Sequence, residues 1–198
     1  MTPPVFLAIY ISGFLLASAI RHFYLQGYRR KTKEMDWKPL CDTWLVYLPA
    51  IGFLFIPALY ILTPVLAGAD YTLPEWAGWA GTGLFAAALL LLWRSHADLG
   101  ANFTPVVAVS EGHQLVTTGV YRSIRHPMYA AHFLWACAQP LLLWNWIAGF
   151  ALLATFIPLY IVRVPVEEEM LAGRFGEEYL QYQERTGAII PKFGQAGK

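Results

Sequence analysis

The stretch that decides the fold runs from Met128 to Val162, MYAAHFLWACAQPLLLWNWIAGFALLATFIPLYIV, and it contains no Asp, Glu, Lys or Arg. Its main interruptions are Gln139, Pro140 and the Trp144-Asn145-Trp146 tripeptide. A helix crosses the bilayer core with about 20 apolar residues, so this stretch predicts two short crossings joined by a tight turn. Charge crowds both flanks: Arg122, Arg125 and His126 before it, Arg163, Glu167, Glu168 and Glu169 after it. A hairpin returns the chain to the side it left, so both clusters are expected on one side. Ionisable groups at a membrane boundary are costly to bury and mark functional sites by default.

Outward from the hairpin, Met1–Ile20, Thr43–Ala69 and Trp76–Trp93 are also free of charged residues. The 198-residue chain is 57% hydrophobic and 14% charged, where soluble domains carry roughly 25% charge. The pattern predicts an all-α integral membrane protein, one domain over residues 1–198. Five crossings are expected at about 4–25, 44–68, 74–94, 127–143 and 146–164. A soluble helical protein would lack the polar surface to cover four such stretches. The first stretch has no positive n-region and no small-residue cleavage pattern, so it reads as a retained helix rather than a signal peptide. Two cysteines, Cys41 and Cys137, are too few for a disulfide framework, and Cys137 is expected within the bilayer.

Charge placement gives an orientation. With five crossings, every Lys and Arg falls on one side: the run from Arg21 to Lys38, Arg94, Arg122 and Arg125, and the tail from Arg163 to Lys198. The connection near Asp70 and Glu75 has neither, and an even number of crossings would break the sorting. The positive-inside rule then puts the N-terminus outside and the C-terminus in the cytosol. The cytosolic portion is expected in two pieces, residues 95–126 and 163–193.

The first piece is rich in turns, with Gly100, Gly112, Gly119 and a Ser110-Glu111-Gly112-His113 turn. Pro127 suits the first turn of the fourth crossing, where its missing N–H costs nothing. His126 then lies at a helix mouth whose free donors and partial positive charge favour a carboxylate, and Arg122 and Arg125 add to that field. Tyr129 and His132 share a helix face, and His132 also suits a polar residue packed within the bundle. In the second piece, Glu167 lies one turn after Arg163 on the same face, although Pro165 interrupts regular helix bonding between them. Three successive glutamates cannot share one face, so at least one points to solvent or to Arg174. An amphipathic helix is expected through Met170, Leu171, Phe175, Tyr179 and Tyr182, packed on the bundle or the membrane surface.

These two blocks resemble a known family. Leu115–Tyr129, LVTTGVYRSIRHPMY, is similar to the cofactor-binding signature of the isoprenylcysteine carboxyl methyltransferases. Arg163–Phe193, RVPVEEEMLAGRFGEEYLQYQERTGAIIPKF, resembles that family's second half. Phospholipid methyltransferases share much of the pattern. The resemblance implies S-adenosylmethionine as methyl donor, held by Gln114, Leu115, Val116, Gly119, Tyr121, Arg125, His126, Pro127, Met128, Tyr129 and His132. Glu167 or Glu168 completes its polar contacts. It also implies Arg163 and Glu167 as the catalytic pair. The implied acceptor is the carboxylate of a prenylated cysteine or a similar lipophilic molecule, in a prokaryotic cell membrane.

Methyl transfer to an ionised carboxylate needs alignment and exclusion of water more than a general base. N-methylation of a phosphoethanolamine-type lipid is the enzymatic alternative and does need a base. A non-catalytic membrane binding or scaffold protein is the other class. A nicotinamide Gly-x-Gly-x-x-Gly fingerprint is absent. His96, His113, His126 and His132 lack metal-ligand spacing. The chain shows no pair of half-repeats of the transporter kind. It has no basic tract with interleaved aromatics for nucleic acid.

Overall fold

A computed structural model describes residues 2–31, 45, 47–100 and 114–192. The start of the second crossing, Cys41, the Ser110–His113 turn and Phe193 lie outside the described residues. The architecture is all-α: α1 (Pro4–Lys31), α2 (Leu48–Leu62), α3 (Glu75–Leu99), α4 (Pro127–Leu142), α5 (Trp146–Phe175) and α6 (Glu177–Arg185). Among the described residues the only β pairing is two isolated bridges, Asp70 with Asn145 and Ile124 with Gly187. Pro4–Gln26, α3 and α5 are each long and apolar enough to cross a membrane. Leu48–Leu62 is a shorter apolar helix, and α4 has 16 residues.

Helices α3, α4 and α5 pack side by side, with α1 along α3 and α2 along α5. The shared core is aromatic, with Phe6, Tyr10, Phe85, Trp135 and Phe156 all buried. Trp135 is its hub, with ring centroids 5.0 Å from Phe85 and 5.6 Å from Phe53. Exposed apolar side chains on α1, α2, α3 and α5 face outward, as a lipid-facing surface requires. Cys137 is exposed on α4 and stands on that surface.

Helix α2 contains a π-helical turn, Ile51–Phe55. A Cβ at Gly52 would lie 2.6 Å from Leu152 Cα, so glycine alone permits this approach to α5. Buried side chains meet the carbonyls of the widened turn. Gln139 Nε2 donates to Gly52 O at 3.0 Å and to Ala148 O at 2.7 Å, and Tyr10 Oη donates to Phe53 O at 2.7 Å. In a bilayer such irregular backbone is tolerated only where protein groups satisfy it.

Asn145 builds the turn between α4 and α5. Its Oδ1 accepts from Ile147 N and Ala148 N as the cap of α5, and its Nδ2 donates to Leu66 O and Asp70 Oδ1. The 30 residues of α5 continue through Pro158 and Pro165. At 1.5 Å per residue that is about 45 Å, longer than a hydrocarbon core of about 30 Å. Its last turns, with Glu167 and Glu168, therefore project beyond the crossing.

The tail differs from expectation in one respect. Met170, Leu171 and Phe175 end α5, and Tyr179 and Tyr182 belong to the separate helix α6. The break is Gly176, at φ 55, a left-handed conformation that glycine adopts without a Cβ penalty. It turns α6 back against the Leu115–Tyr129 segment.

Candidate functional site

The site forms where the first turn of α4, the projecting end of α5 and helix α6 meet. The approach to α4 is a 3-10 turn, Gly119–Arg122. Gly119 sits at φ 61, and a Cβ there would fall 2.1 Å from Asp98 Oδ2. That carboxylate, on the last turn of α3, accepts from Val120 N at 2.8 Å while its other oxygen accepts from Arg94 at 2.8 Å. Tyr121 is buried and its hydroxyl donates to Ser95 O at 3.3 Å. From the other side, Tyr182 Oη donates to Tyr121 O at 2.6 Å. Arg125 N and His126 N donate to Gly187 O and Ala188 O, both at 2.9 Å. The segment is thus clamped between α3 and the tail.

Arg125 and His126 point at the glutamates. Arg125 Nε donates to Glu168 Oε1 at 2.8 Å, and its Nη1 donates to Thr186 O. His126 Nε2 donates to the same Glu168 oxygen at 3.0 Å, and its Nδ1 lies 3.7 Å from Glu167 Oε2. Gln183 Nε2 donates to Glu168 Oε2 at 2.9 Å. The bond from His126 comes first, with Arg125 beside it, in holding the Glu168 carboxyl down to about 2 against partial burial. Glu167 has its own partners: Arg163 Nε donates to Oε1 at 2.6 Å, and Tyr129 Oη donates to that oxygen at 2.8 Å. Pro165 therefore leaves the Arg163–Glu167 pairing intact. Glu169 is exposed.

The structure gathers most of the expected residues into this cluster. Arg125 and His126 bond Glu168, Arg163 and Tyr129 bond Glu167, and the 3.7 Å approach of His126 Nδ1 to Glu167 brings the two groups together. Pro127 is the first residue of α4. Leu115, Val116 and Met128 are half-buried beside it, and Gln114 is exposed. Arg122 is exposed on the 3-10 turn. His132 lies one turn deeper, its Nδ1 donating to Met128 O at 2.7 Å and its ring stacked on Phe156 at 5.1 Å. The helix mouth expected to take a ligand carboxylate holds the protein's own Glu168.

Composition and spacing did not bring out Asp98, Gln183 or the Thr186–Ala188 backbone. Asp98 had a faint signal in its i,i+4 spacing from Arg94. The others act through a fold-back that only Gly176 hints at.

Residues 80–173 match the model of the isoprenylcysteine carboxyl methyltransferase (ICMT) family. Over that segment, somewhat under half of its length, the chain is similar to this family. Protein-S-isoprenylcysteine O-methyltransferase B of Arabidopsis thaliana is 33% identical over 94 residues, covering 46% of this chain and 48% of that protein. The Homo sapiens protein-S-isoprenylcysteine O-methyltransferase is 39% identical over 94 residues, covering 46% of this chain and 33% of that one. The chain thus spans about half or less of the length of these curated relatives. A solved eukaryotic intramembrane Ras methyltransferase of the same family superposes with a TM-score of 0.58 at 25% identity, covering 92% of this chain and 62% of that one. The fold likeness therefore reaches well beyond the segment matched in sequence. The matched segment contains Arg125, His126, Tyr129, Arg163, Glu167 and Glu168, while Gly176 and α6 follow it.

The residues present suit S-adenosylmethionine. Its sulfonium and ammonium are cationic, and two adjacent carboxylates face the α4 mouth. Arg125, His126 and Tyr129 donate to those two carboxylates and so hold them in place.

Proposed function

We propose that this protein transfers a methyl group from S-adenosylmethionine to the carboxylate of an isoprenylcysteine or a similar lipophilic acceptor within the membrane. One observation carries the reading: Arg163, Glu167 and Tyr129 share a single carboxylate oxygen at the end of an apolar hairpin. The family segment and the superposed methyltransferase support it.

Bound S-adenosylmethionine supplies an electrophilic methyl on a positively charged sulfur. The chain's residues align the two reactants and exclude water. An acceptor carboxylate is ionised at neutral pH, so nothing has to remove a proton. Arg163 presents a planar guanidinium at the boundary, matched to a carboxylate. Glu167 fixes that guanidinium at 2.6 Å and offsets part of its charge, so Arg163 orients an acceptor without quenching its nucleophilicity. Arg125 and His126 fix Glu168, which keeps a carboxylate in place for the cationic groups of the donor. Gln114, Leu115, Val116, Gly119, Tyr121, Pro127, Met128 and His132 form the remaining donor-side wall in this proposal. The aromatic and aliphatic surround lowers the local dielectric and strengthens each interaction.

The proposal includes five crossings, at α1, α2, α3, α4 and α5, with the N-terminus outside and the C-terminus cytosolic in a prokaryotic cell membrane. The sorting of Lys and Arg onto one side supports that orientation. Membrane lipid surrounds the bundle, and the acceptor reaches the site from it.

The test uses purified protein, S-adenosylmethionine labelled in the methyl group, and a farnesylated cysteine analogue with a free carboxyl. The expected product releases its label as methanol in mild alkali. Label that survives alkali on an amine would replace this reading with N-methylation of a lipid headgroup.

A further inference from the structure

Tyr179 is fully buried, yet among the described residues its hydroxyl has no hydrogen-bond partner. The other buried tyrosines are all satisfied: Tyr10 on Phe53 O, Tyr121 on Ser95 O and Tyr182 on Tyr121 O. A native protein rarely leaves a buried hydroxyl unpaired, and each case calls for a group that completes it. Where Tyr179 sits narrows what that group is. It lies one turn before Gln183 on α6, and Gln183 holds Glu168. Its ring centroid is 6.1 Å from that of Tyr182, whose hydroxyl seals the 3-10 turn. Burial pushes the Tyr179 phenol up, and the Glu168 carboxylate, acting more strongly than Arg125, pushes it further. The hydroxyl therefore keeps its proton and remains a donor at neutral pH.

We infer that the Tyr179 hydroxyl is a further binding contact for the methyl donor, hydrogen-bonding a polar group of the bound molecule beside Glu168 and Arg125. The inference rests on the methyltransferase reading above. It places a ligand contact on α6, beyond the segment that matches the family model. It also gives the Gly176 break a purpose, since only the turned-back helix brings residue 179 to the cluster. The α6 helix becomes the outer wall of the donor site rather than a membrane-surface anchor.

Among the described residues the hydroxyl makes no bond, so removing it has two separable consequences. The experiment compares the full chain in detergent with Tyr179→Phe, titrating S-adenosylhomocysteine by calorimetry and recording thermal unfolding without ligand. The expected result is an affinity about 5- to 50-fold weaker, the range for one lost hydrogen bond to a polar or charged group. The ligand-free Tm is expected to be unchanged or higher, because an unsatisfied buried group has been removed. Unchanged affinity overturns the inference. Weaker binding together with a lower ligand-free Tm also overturns it, since the hydroxyl then has a structural partner. A wild-type protein that does not bind S-adenosylhomocysteine removes the methyl-donor reading and this inference together, whereas normal wild-type binding with an unaltered variant removes only Tyr179.

Discussion

Arg125 and Glu168, 43 positions apart in sequence, are joined by a 2.8 Å hydrogen-bonded ion pair, and His126 donates to the same oxygen at 3.0 Å. This pair ties the mouth of α4 to the end of α5 where both leave the apolar hairpin. Their side chains are only 13% and 21% exposed, so solvent screens the pair far less than a surface bridge. It is both a structural tie and the floor of the proposed donor site.

Glu168→Gln is expected to destabilise the protein by about 1–3 kcal/mol, since it leaves the Arg125 charge partly buried without its anion. Thermal unfolding in detergent measures this. A double-mutant cycle with Arg125→Gln is expected to give a coupling of about 1 kcal/mol or more. Additive effects would show that the two residues do not depend on each other.

The pH dependence follows from the lowered Glu168 carboxyl, at about 2 against an ordinary value of 4.5. A carboxyl lowered in the folded state binds fewer protons there than when unfolded. Its contribution is thus complete above the ordinary value and fades as pH falls toward about 2. Wild-type Tm is expected to drop across that window, and Glu168→Gln is expected to lose this part of the drop. Parallel curves for the two proteins would contradict the assignment.

Arg163→Lys is expected to lower kcat/KM for methyl transfer about 100-fold, near 2.7 kcal/mol of transition-state stabilisation. A lysine keeps the charge but loses the planar fork that orients a carboxylate and meets Glu167. S-adenosylhomocysteine affinity is expected to change little, because Arg163 serves the acceptor side. A variant with full activity would remove Arg163 from the mechanism.

Gly119→Ala is expected to cost about 1–3 kcal/mol, because alanine is strained at φ 61 and its Cβ would strike the Asp98 carboxylate. Displacing Asp98 also breaks its bond to Val120 N, so the donor-side turn loosens and S-adenosylhomocysteine binding weakens with Tm. Unaltered Tm and binding would show that the turn tolerates a side chain.

Much of the site was legible before the fold. Arg125, His126, Tyr129, Arg163 and Glu167 flank an uncharged hairpin, and a hairpin brings its two ends together whatever its detailed packing. The choice among Glu167, Glu168 and Glu169 was not legible. It depends on the rotation of α5 relative to α4, which Tyr129, Arg125 and His126 set together. Arg122 ends the 3-10 turn and is exposed, whereas Arg125 reaches Glu168. Tyr179 read as one more apolar residue on an amphipathic face, and its unpaired hydroxyl exists only once α6 folds back at Gly176.

The sequence by itself determined where the apolar helices lie and that ionisable groups gather at the ends of the last two. Both depend on transfer free energies that each residue carries wherever it sits. The tertiary structure alone decided which carboxylate meets which cation, how Gly52 opens a π turn against α5, and how Gly176 closes α6 over the site. Those outcomes depend on distances of a few ångströms between segments far apart in the chain, and such distances are fixed only when the helices pack.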